Sequence, residues 1–196
     1  MILQSAMYLK QNIDLSSAPW TMHEFFAGSG LVAYGLRGMF APVWANDISE
    51  QKAAVYEANF GGDRFVLDDI KNVKGNDLPF AHLSWVSFPC QDLSLAGSIG
   101  GIHASRSGLV WEWLRVFDEM DDKPKILLLE NVAGLLSIND GENYRVLHMA
   151  LVEREYRCGA VLLNASHFVP QSRPRVFIIA VQKDCPIPEE LVSNGP

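Results

Sequence analysis

Residues 83–91 have the sequence Leu-Ser-Trp-Val-Ser-Phe-Pro-Cys-Gln, an apolar run followed by a cysteine at the end of a predicted strand. Pro89 fixes one backbone torsion and removes an N–H donor, so the turn that carries Cys90 is expected to be stiff. In open α/β sheets, the carboxyl ends of the strands face the ligand crevice. A lone cysteine is nevertheless more often a small buried residue than a nucleophile. The other motifs must decide between these interpretations of Cys90.

Length and composition predict one soluble globular domain. The chain has 196 residues, of which 48% are hydrophobic and 20% charged, as is ordinary for globular proteins. Its three cysteines form no C-x-x-C pair, so neither a disulfide framework nor a zinc site or other metal site is expected. No signal-peptide pattern opens the chain, and no apolar run approaches the ~20 residues of a membrane span. These features predict a cytoplasmic protein with no membrane contact.

The charge balance bears on nucleic-acid binding. The formal net charge is −7 and the isoelectric point about 5.2. A nucleic-acid-binding face usually has a basic footprint, because neutralising phosphates supplies much of the affinity. The acidic balance therefore argues against a wide binding face, while leaving room for a small basic cleft.

Strand patterns alternate with helix patterns along the chain. The predicted strands cover residues 24–27, 43–47, 64–67, 83–86, 125–130, 159–163 and 175–181. The predicted helices cover residues 31–37, 50–59, 107–120 and 143–155. This order predicts an α/β fold with a doubly wound, mostly parallel sheet, in which the final strands leave room for an antiparallel edge. We expect residues 1–20 to be an N-terminal extension, 21–184 the domain, and 185–196 a tail or linker.

Three residues suited to chemistry follow predicted strands. Asp47, Cys90 and Glu130 are each predicted to end an apolar strand, so all three could face one crevice. Gly28 and Gly30 form a turn that does not complete the G-x-G-x-x-G pattern of dinucleotide-binding proteins. Asp47 stands 19 positions after Gly28, near the ~20 expected for an acid on ribose hydroxyls. An adenosine ligand without a pyrophosphate agrees with both facts, although a tight turn without a ligand and a nicotinamide-binding dehydrogenase stay open.

Four motifs carry a family resemblance. They are Phe-Ala-Gly-Ser-Gly at 26–30, Phe-Pro-Cys-Gln at 88–91, Glu-Asn-Val at 130–132 and Gln-Ser-Arg-Pro-Arg at 171–175. Their order and approximate spacing resemble those of the DNA (cytosine-5) methyltransferases over about residues 23–182. The resemblance implies a Rossmann-like methyltransferase fold. It also implies that the enzyme transfers a methyl group from S-adenosylmethionine to C5 of a cytosine flipped out of its helix.

The resemblance also implies catalytic roles. Cys90 would attack C6 of the cytosine as a thiolate, because C5 is a poor nucleophile until that addition. Glu130 would hold the N3 and N4 edge of the base and share a proton with it. Arg175 would contact O2 of the base, with Arg173 in support.

Further residues match the family's cofactor and substrate positions. The implied cofactor-binding residues are Phe26, Ala27, Gly28, Ser29, Gly30, Asp47, Ile48, Asp69, Ile70, Pro89 and Leu109. The implied substrate-binding residues are Gln91, Ser94, Arg106, Asn131 and Gln171. Among them Asp47 would accept from the ribose hydroxyls and Asp69 from the adenine amine. The chain departs from the family pattern at Glu24, where an aspartate is usual, and at Leu31, where a glycine is usual.

The resemblance covers a catalytic domain without the target-recognition domain that follows it in the family. We therefore expect a fragment, or one subunit of a split enzyme, acting on double-stranded DNA in a bacterial restriction-modification system. A second polypeptide or a missing C-terminal domain would supply target recognition. Two alternatives stay open: a tRNA-directed cytosine-5 methyltransferase, which shares the Pro-Cys-Gln and Glu-Asn-Val motifs, and a non-catalytic module that binds S-adenosylmethionine or a partner protein.

Overall fold

The structure, a computed structural model, describes residues 17–89 and 108–192. These residues form two compact units that divide between Pro124 and Lys125. The predicted limits of the extension, the domain and the tail stay predictions.

The first unit contains four parallel strands and three α-helices among its described residues. The strands are β1 (Trp20–Phe25), β2 (Phe40–Asp47), β3 (Phe65–Leu67) and β4 (Leu83–Val86), in the order β3-β2-β1-β4. The helices are α1 (Leu31–Leu36), α2 (Glu50–Phe60) and α3 (Leu109–Glu119). Because the strands are parallel, their carboxyl ends lie along one edge of the sheet, where α/β proteins hold their ligands.

Aromatic and aliphatic side chains form the core of this unit. Phe25 and Trp44 pack with ring centroids 4.7 Å apart, and Tyr56 packs against Phe60 and Phe65 at 4.9 and 4.8 Å. The buried side chains of α3 are Val110, Trp113, Leu114, Val116 and Phe117. Leu109, the first residue of this helix, is only half-buried.

The strand predicted at residues 24–27 is wrong in its bounds. β1 runs from Trp20 to Phe25, and Phe26 leaves it with a φ of 57°. Two polar residues of the strand, His23 and Glu24, are buried at 1% and 0% exposure. A polar residue at an inward position interrupts the apolar pattern, which explains the displaced prediction.

β1 and β2 change register in the middle of their pairing. Met22 pairs with Pro42, whereas His23 pairs with Trp44, so Val43 is an extra residue in β2. Proline cannot donate to a strand ladder and is confined within sheets to edges and bulges. Pro42 therefore accounts for the irregularity in a strand that pairs on both sides.

The second unit contains three strands and one α-helix among its described residues. They are β5 (Ile126–Val132), α4 (Glu142–Glu153), β6 (Tyr156–Asn164) and β7 (Pro174–Gln182). β7 lies between the other two strands and is antiparallel to both. The predicted α/β fold, with parallel strands and a late antiparallel strand, is confirmed. None of the helices in residues 17–89 and 108–192 has the length and hydrophobicity of a membrane span.

Glu130 was expected to end its strand, and that expectation is wrong. β5 continues through Val132, and Glu130 pairs in register with Phe177 of β7. Alternate residues of β5, Leu127 and Leu129, are buried at 0% and 1% exposure. Glu130 stands one position out of phase with them, on the opposite face of the strand.

Gly30 provides a test of how tightly the turn after β1 packs. Its φ is 81°, and a Cβ there would lie 2.9 Å from Tyr56 Cδ2 and closer still to the Phe60 ring. We expect Gly30→Ala to lower the free energy of unfolding by ~1–3 kcal/mol, through backbone strain and overpacking. Urea denaturation followed by circular dichroism measures this.

Gly35→Ala is the matched control for that substitution. Gly35 lies in α1, and nothing lies within 4 Å of a Cβ built on it. Alanine is expected to leave stability unchanged or to raise it by up to ~1 kcal/mol. Equal effects of the two substitutions would contradict the close approach at Gly30.

Glu24 provides a second test, because burial raises the pKa of its carboxyl group to about 8. Unfolded Glu24 loses its proton near its ordinary pKa of 4.5, whereas the folded protein keeps it until about pH 8. The free energy of unfolding should therefore fall as pH rises from about 7 to 8, and Glu24→Gln should remove up to ~1.4 kcal/mol per pH unit of that slope. Urea titrations of both proteins across this window measure the difference.

The window is chosen to exclude a second buried group. Burial lowers the pKa of His23 from its ordinary 6.5 to about 4, so its titration affects stability mainly below pH 6.5 and in the opposite direction. Identical slopes for the wild type and Glu24→Gln above pH 7 would contradict a protonated Glu24.

Candidate functional site

The first unit contains a cavity of about 250 Å³ at the carboxyl edge of its sheet. Its lining residues are Phe26, Asn46, Asp47, Ile48, Lys52, Asp68, Asp69, Ile70, Ser87, Pro89 and Leu109. Each of the four strands contributes at or just beyond its end, with Phe26 after β1, Asp47 in β2, Asp68 after β3 and Ser87 after β4. The parallel order of the strands thus brings together residues that lie far apart in the chain.

Asp47 organises one wall of the cavity. Its Oδ2 accepts a hydrogen bond of 2.9 Å from the Gly28 N–H, and its Oδ1 accepts one of 3.0 Å from the Ser49 N–H. Lys52 Nζ lies 3.7 Å from Oδ2. A carboxylate has about four lone-pair sites, so these contacts leave acceptor capacity toward the cavity.

Asn46 holds the backbone next to the acids that follow β3. This side chain is buried, and its Nδ2 donates to the carbonyl oxygens of Val66 and Asp68, both at 2.8 Å. Asp69 follows directly, and its Oδ1 accepts from the Lys71 N–H at 3.0 Å. The exit of β3 is therefore held by a buried amide.

The glycine turn of residues 26–30 is built mainly from backbone hydrogen bonds. The Ala27 N–H donates to the Asn46 carbonyl oxygen at 2.8 Å, and the Gly30 N–H donates to the Ala27 carbonyl oxygen at 3.1 Å. Gly28 has a φ of 58°, in the region that favours glycine. Ala27, Gly28, Ser29 and Gly30 adjoin Phe26 but do not line the cavity themselves.

Seven of the residues expected to bind a cofactor line this cavity: Phe26, Asp47, Ile48, Asp69, Ile70, Pro89 and Leu109. The shared cavity shows where these residues lie and not what they bind, so their binding role stays a prediction. Four lining residues were missed, namely Asn46, Lys52, Asp68 and Ser87. Asn46 and Asp68 directly precede Asp47 and Asp69 at strand ends, and this position could have identified them as candidates. Nothing in the sequence around Lys52 indicates that it lines the cavity.

Glu130 and Arg175 form an ion pair in the second unit. Arg175 Nε lies 2.8 Å from Glu130 Oε1, and the two side chains are 21% and 22% exposed. Arg175 pairs with Val132 across β5 and β7, and its Nη1 also donates to the Pro174 carbonyl oxygen. The antiparallel register of β5 and β7 thus joins two motifs more than 40 residues apart.

The other predicted residues of this unit differ in exposure. Gln171 and Arg173 are exposed, and the Arg173 N–H donates to Asn164 Oδ1 at 2.8 Å. Asn164 Oδ1 also accepts from the Ser166 N–H at 3.1 Å, so this side chain orders the connection between β6 and β7. Asn131 is buried, and its Oδ1 accepts from the Val132 N–H at 2.8 Å. No motif in the sequence marks Asn164 as the residue that orders this connection.

Four predicted site residues, Cys90, Gln91, Ser94 and Arg106, lie outside the described residues. Of the other two cysteines, Cys158 is half-buried, and burial raises the pKa of its thiol to about 11. A thiol with a raised pKa is a weak nucleophile at neutral pH. In residues 17–89 and 108–192, no three His, Cys, Asp or Glu side chains are grouped as a metal site would need.

Solved structures share this fold. The crystal structure of the S. pombe Dnmt2 methyltransferase matches with a TM-score of 0.66 and 23% identity, over 86% of this chain and 50% of that chain. The Entamoeba histolytica methyltransferase EhMeth matches with a TM-score of 0.64 and 18% identity, over 83% and 52%. These likenesses confirm the predicted Rossmann-like methyltransferase fold.

Curated relatives are type II methyltransferases. M.Bsp6I of Bacillus sp. (strain RFL6) is 35% identical over 159 residues, which cover 79% of this chain and 50% of that protein. M.HhaI of Haemophilus parahaemolyticus is 31% identical over 163 residues, which cover 82% and 49%. The chain thus spans about half the length of these relatives.

A family model gives the assignment directly. The model of the C-5 cytosine-specific DNA methylase matches residues 20–194, which extend across most of both units and include all four sequence motifs. The chain belongs to the C-5 cytosine-specific DNA methylase family.

Proposed function

We propose that this chain carries the methyl-transfer core of a DNA cytosine-5 methyltransferase, which methylates C5 of a cytosine flipped out of double-stranded DNA. The observation that carries the proposal is the 2.8 Å ion pair between Glu130 and Arg175. It joins the Glu-Asn-Val and Gln-x-Arg-x-Arg motifs, whose family roles are to hold the base. A module without chemistry would have no need of such a pair together with a Pro-Cys-Gln motif in its sequence.

The cavity of the first unit supports S-adenosylmethionine as the methyl donor. Three carboxylates and one lysine line it, which suits a ligand with a cationic sulfonium and several donor groups. Asp47 would accept from the ribose hydroxyls and Asp69 from the adenine amine, while Ile48 and Leu109 supply apolar contact. The turn of residues 26–30 would border the methionine portion. When bound, this cofactor supplies an electrophilic methyl group, and the chain's part is to bind and orient it.

The covalent chemistry is assigned to Cys90. Its thiolate would form a bond to C6 of the cytosine, and Glu130 would share a proton with N3, so that the ring does not hold the added negative charge. C5 then has the character of an enamine carbon and would attack the methyl group, whose bond to the sulfonium sulfur breaks so that S-adenosylhomocysteine leaves. Loss of the C5 proton to a base such as water, with expulsion of the thiolate from C6, restores the aromatic ring. Arg175 would keep Glu130 aligned while contacting O2.

The relatives are about twice as long as the part of them that this chain matches. We assign target recognition to a second polypeptide or a further domain that corresponds to the rest of their length. The net charge of −7 supports this division, because a DNA-gripping surface is usually basic. We propose that the assembled enzyme acts in the cytoplasm as the modification part of a bacterial restriction-modification system, as the type II relatives suggest.

Duplex DNA that contains 5-fluorocytosine provides the direct test of the nucleophile. Fluorine at C5 cannot leave as a proton does, so the enzyme should remain bonded to C6 after methyl transfer. With S-adenosylmethionine and the polypeptide that supplies recognition, we expect an adduct that survives denaturing electrophoresis. Cys90→Ser should abolish the adduct.

Cys158→Ser is the matched control and should retain the adduct, because the Cys158 thiol is half-buried with a raised pKa. An adduct that survives Cys90→Ser would contradict the assigned nucleophile. An adduct formed only with 5-fluorocytidine in tRNA would replace DNA by RNA as the substrate.

Arg175→Gln tests the ion pair. Losing one charge-assisted hydrogen bond in a half-buried site should slow methyl transfer by about 10- to 100-fold, with little change in cofactor affinity. Single-turnover transfer of tritiated methyl groups and calorimetric titration with S-adenosylhomocysteine measure the two quantities separately.

The control for Arg175→Gln is Lys183→Gln, which removes an ion pair of 3.0 Å to Glu155 between side chains 68% and 67% exposed. Exposed pairs contribute little, so both measurements should stay at wild-type values. Equal rates for wild type and Arg175→Gln would argue against the proposed role of the pair.

A further inference from the structure

We propose that Arg115 is a positioning residue that sets the cavity's selectivity for a 6-aminopurine nucleoside, an inference that rests on the proposed function. Arg115 lies on α3 and is absent from the cavity lining. Its Nη2 donates to the carbonyl oxygens of Ile70 and Val73, both at 3.0 Å. One guanidinium thus binds the backbone of the segment that follows β3.

Two glutamates of the same helix hold the guanidinium in place. Arg115 Nε lies 2.9 Å from Glu112 Oε2, and Nη1 lies 2.7 Å from Glu119 Oε1. Glu119 Oε2 in turn accepts from the Gly75 N–H at 2.8 Å. The planar fork of arginine can make all these contacts at once, whereas a lysine ammonium cannot.

Gly75 brings the same segment directly onto α3. A Cβ at this position would lie 2.8 Å from the Met120 nitrogen and closer still to the Val116 carbonyl oxygen. Only glycine allows this approach. Residues 70–75 are therefore held against the helix at both ends, by Arg115 at Ile70 and by Glu119 at Gly75.

The segment and the helix each supply a wall of the cavity. Asp69 and Ile70 line it from the segment, and Leu109, the first residue of α3, lines it from the helix. The Ile70 side chain is buried in the hydrophobic core, and its carbonyl oxygen accepts a hydrogen bond from Arg115. Arg115 therefore fixes the separation between the Asp69 carboxylate and the Leu109 wall.

This placement has a chemical consequence for the ligand. A carboxylate held at a fixed distance accepts from an exocyclic amine and rejects a ring that presents an oxygen there, because two acceptors would meet. If the segment moves, Asp69 can withdraw from either ligand, so the amine loses its advantage. The class of ligand selected is therefore a 6-aminopurine nucleoside over its 6-oxo counterpart.

The test compares S-adenosylhomocysteine with S-inosylhomocysteine, in which oxygen replaces the 6-amino group, by calorimetric titration of the full chain. We expect the wild type to bind the amino ligand at least about 10-fold more tightly. Arg115→Gln should reduce this ratio to below about threefold, mainly by weakening the amino ligand, and Arg115→Lys should restore part of it. The ratio is insensitive to a partly unfolded sample, because loss of active protein affects both ligands alike.

Arg145→Gln is the matched control. Arg145 also pairs with a glutamate three residues away on its own helix, at 2.6 Å from Glu142, but on α4 of the second unit. Its substitution should leave the ratio unchanged. If Arg115→Gln folds poorly, Glu119→Ala, which releases Gly75, should lower the ratio in the same direction.

Each remaining outcome decides one proposal. Equal weakening of both ligands by Arg115→Gln would overturn the selectivity role and leave Arg115 as a support of stability alone. Unchanged affinities for both ligands would overturn the positioning role, with the proposed cofactor intact. Failure of the wild type to bind S-adenosylhomocysteine would overturn the proposed cofactor and this inference together.

Discussion

The cavity depends on the Asp47 carboxylate and the two backbone N–H groups that it binds. One belongs to Gly28 in the turn after β1, and the other to Ser49 at the start of α2. Charge-assisted hydrogen bonds of this kind are short and directional, and at 7% side-chain exposure little water competes for them. One residue therefore links the glycine turn after β1 to the end of β2 and the start of α2.

Much of the fold could be predicted because its elements carry local signals. Val161, Leu162 and Leu163 in β6, and the run from Val176 to Val181 in β7, are apolar stretches of strand length. The pattern failed where tertiary structure overrides it. β1 buries His23 and Glu24, which resemble surface residues in a sequence, and β5 extends past Glu130 because Asn131 and Val132 pair with β7.

The candidate site was predictable only where motifs mark it. Asp47 ends β2 and Asp69 follows β3, each beside a recognisable pattern, and both line the cavity. The residues that hold those walls in place have no such mark, since their partners lie far along the chain. Arg115 binds Ile70, which is 45 residues away, and Asn46 binds Asp68, which is 22 away. A surface-like arginine on a helix gives no local indication that it will reach a distant backbone carbonyl.

The register change at Pro42 affects how the family can diverge. Because Val43 is an extra residue, each residue of β2 after it faces the opposite side of the sheet from the one it would face in a regular strand. In this register the Asn46 side chain binds the backbone of β3, and the Asp47 side chain binds the glycine turn. Which side chains face each side of the sheet is therefore set separately in the part of β2 before the irregularity and in the part after it. Insertions and deletions near residues 37–41 can be accommodated without changing the direction of the Asp47 side chain. One between Trp44 and Asp47 would instead exchange the sides of the sheet that Asn46 and Asp47 face. We expect length variation among homologues to be concentrated on the early side of this proline.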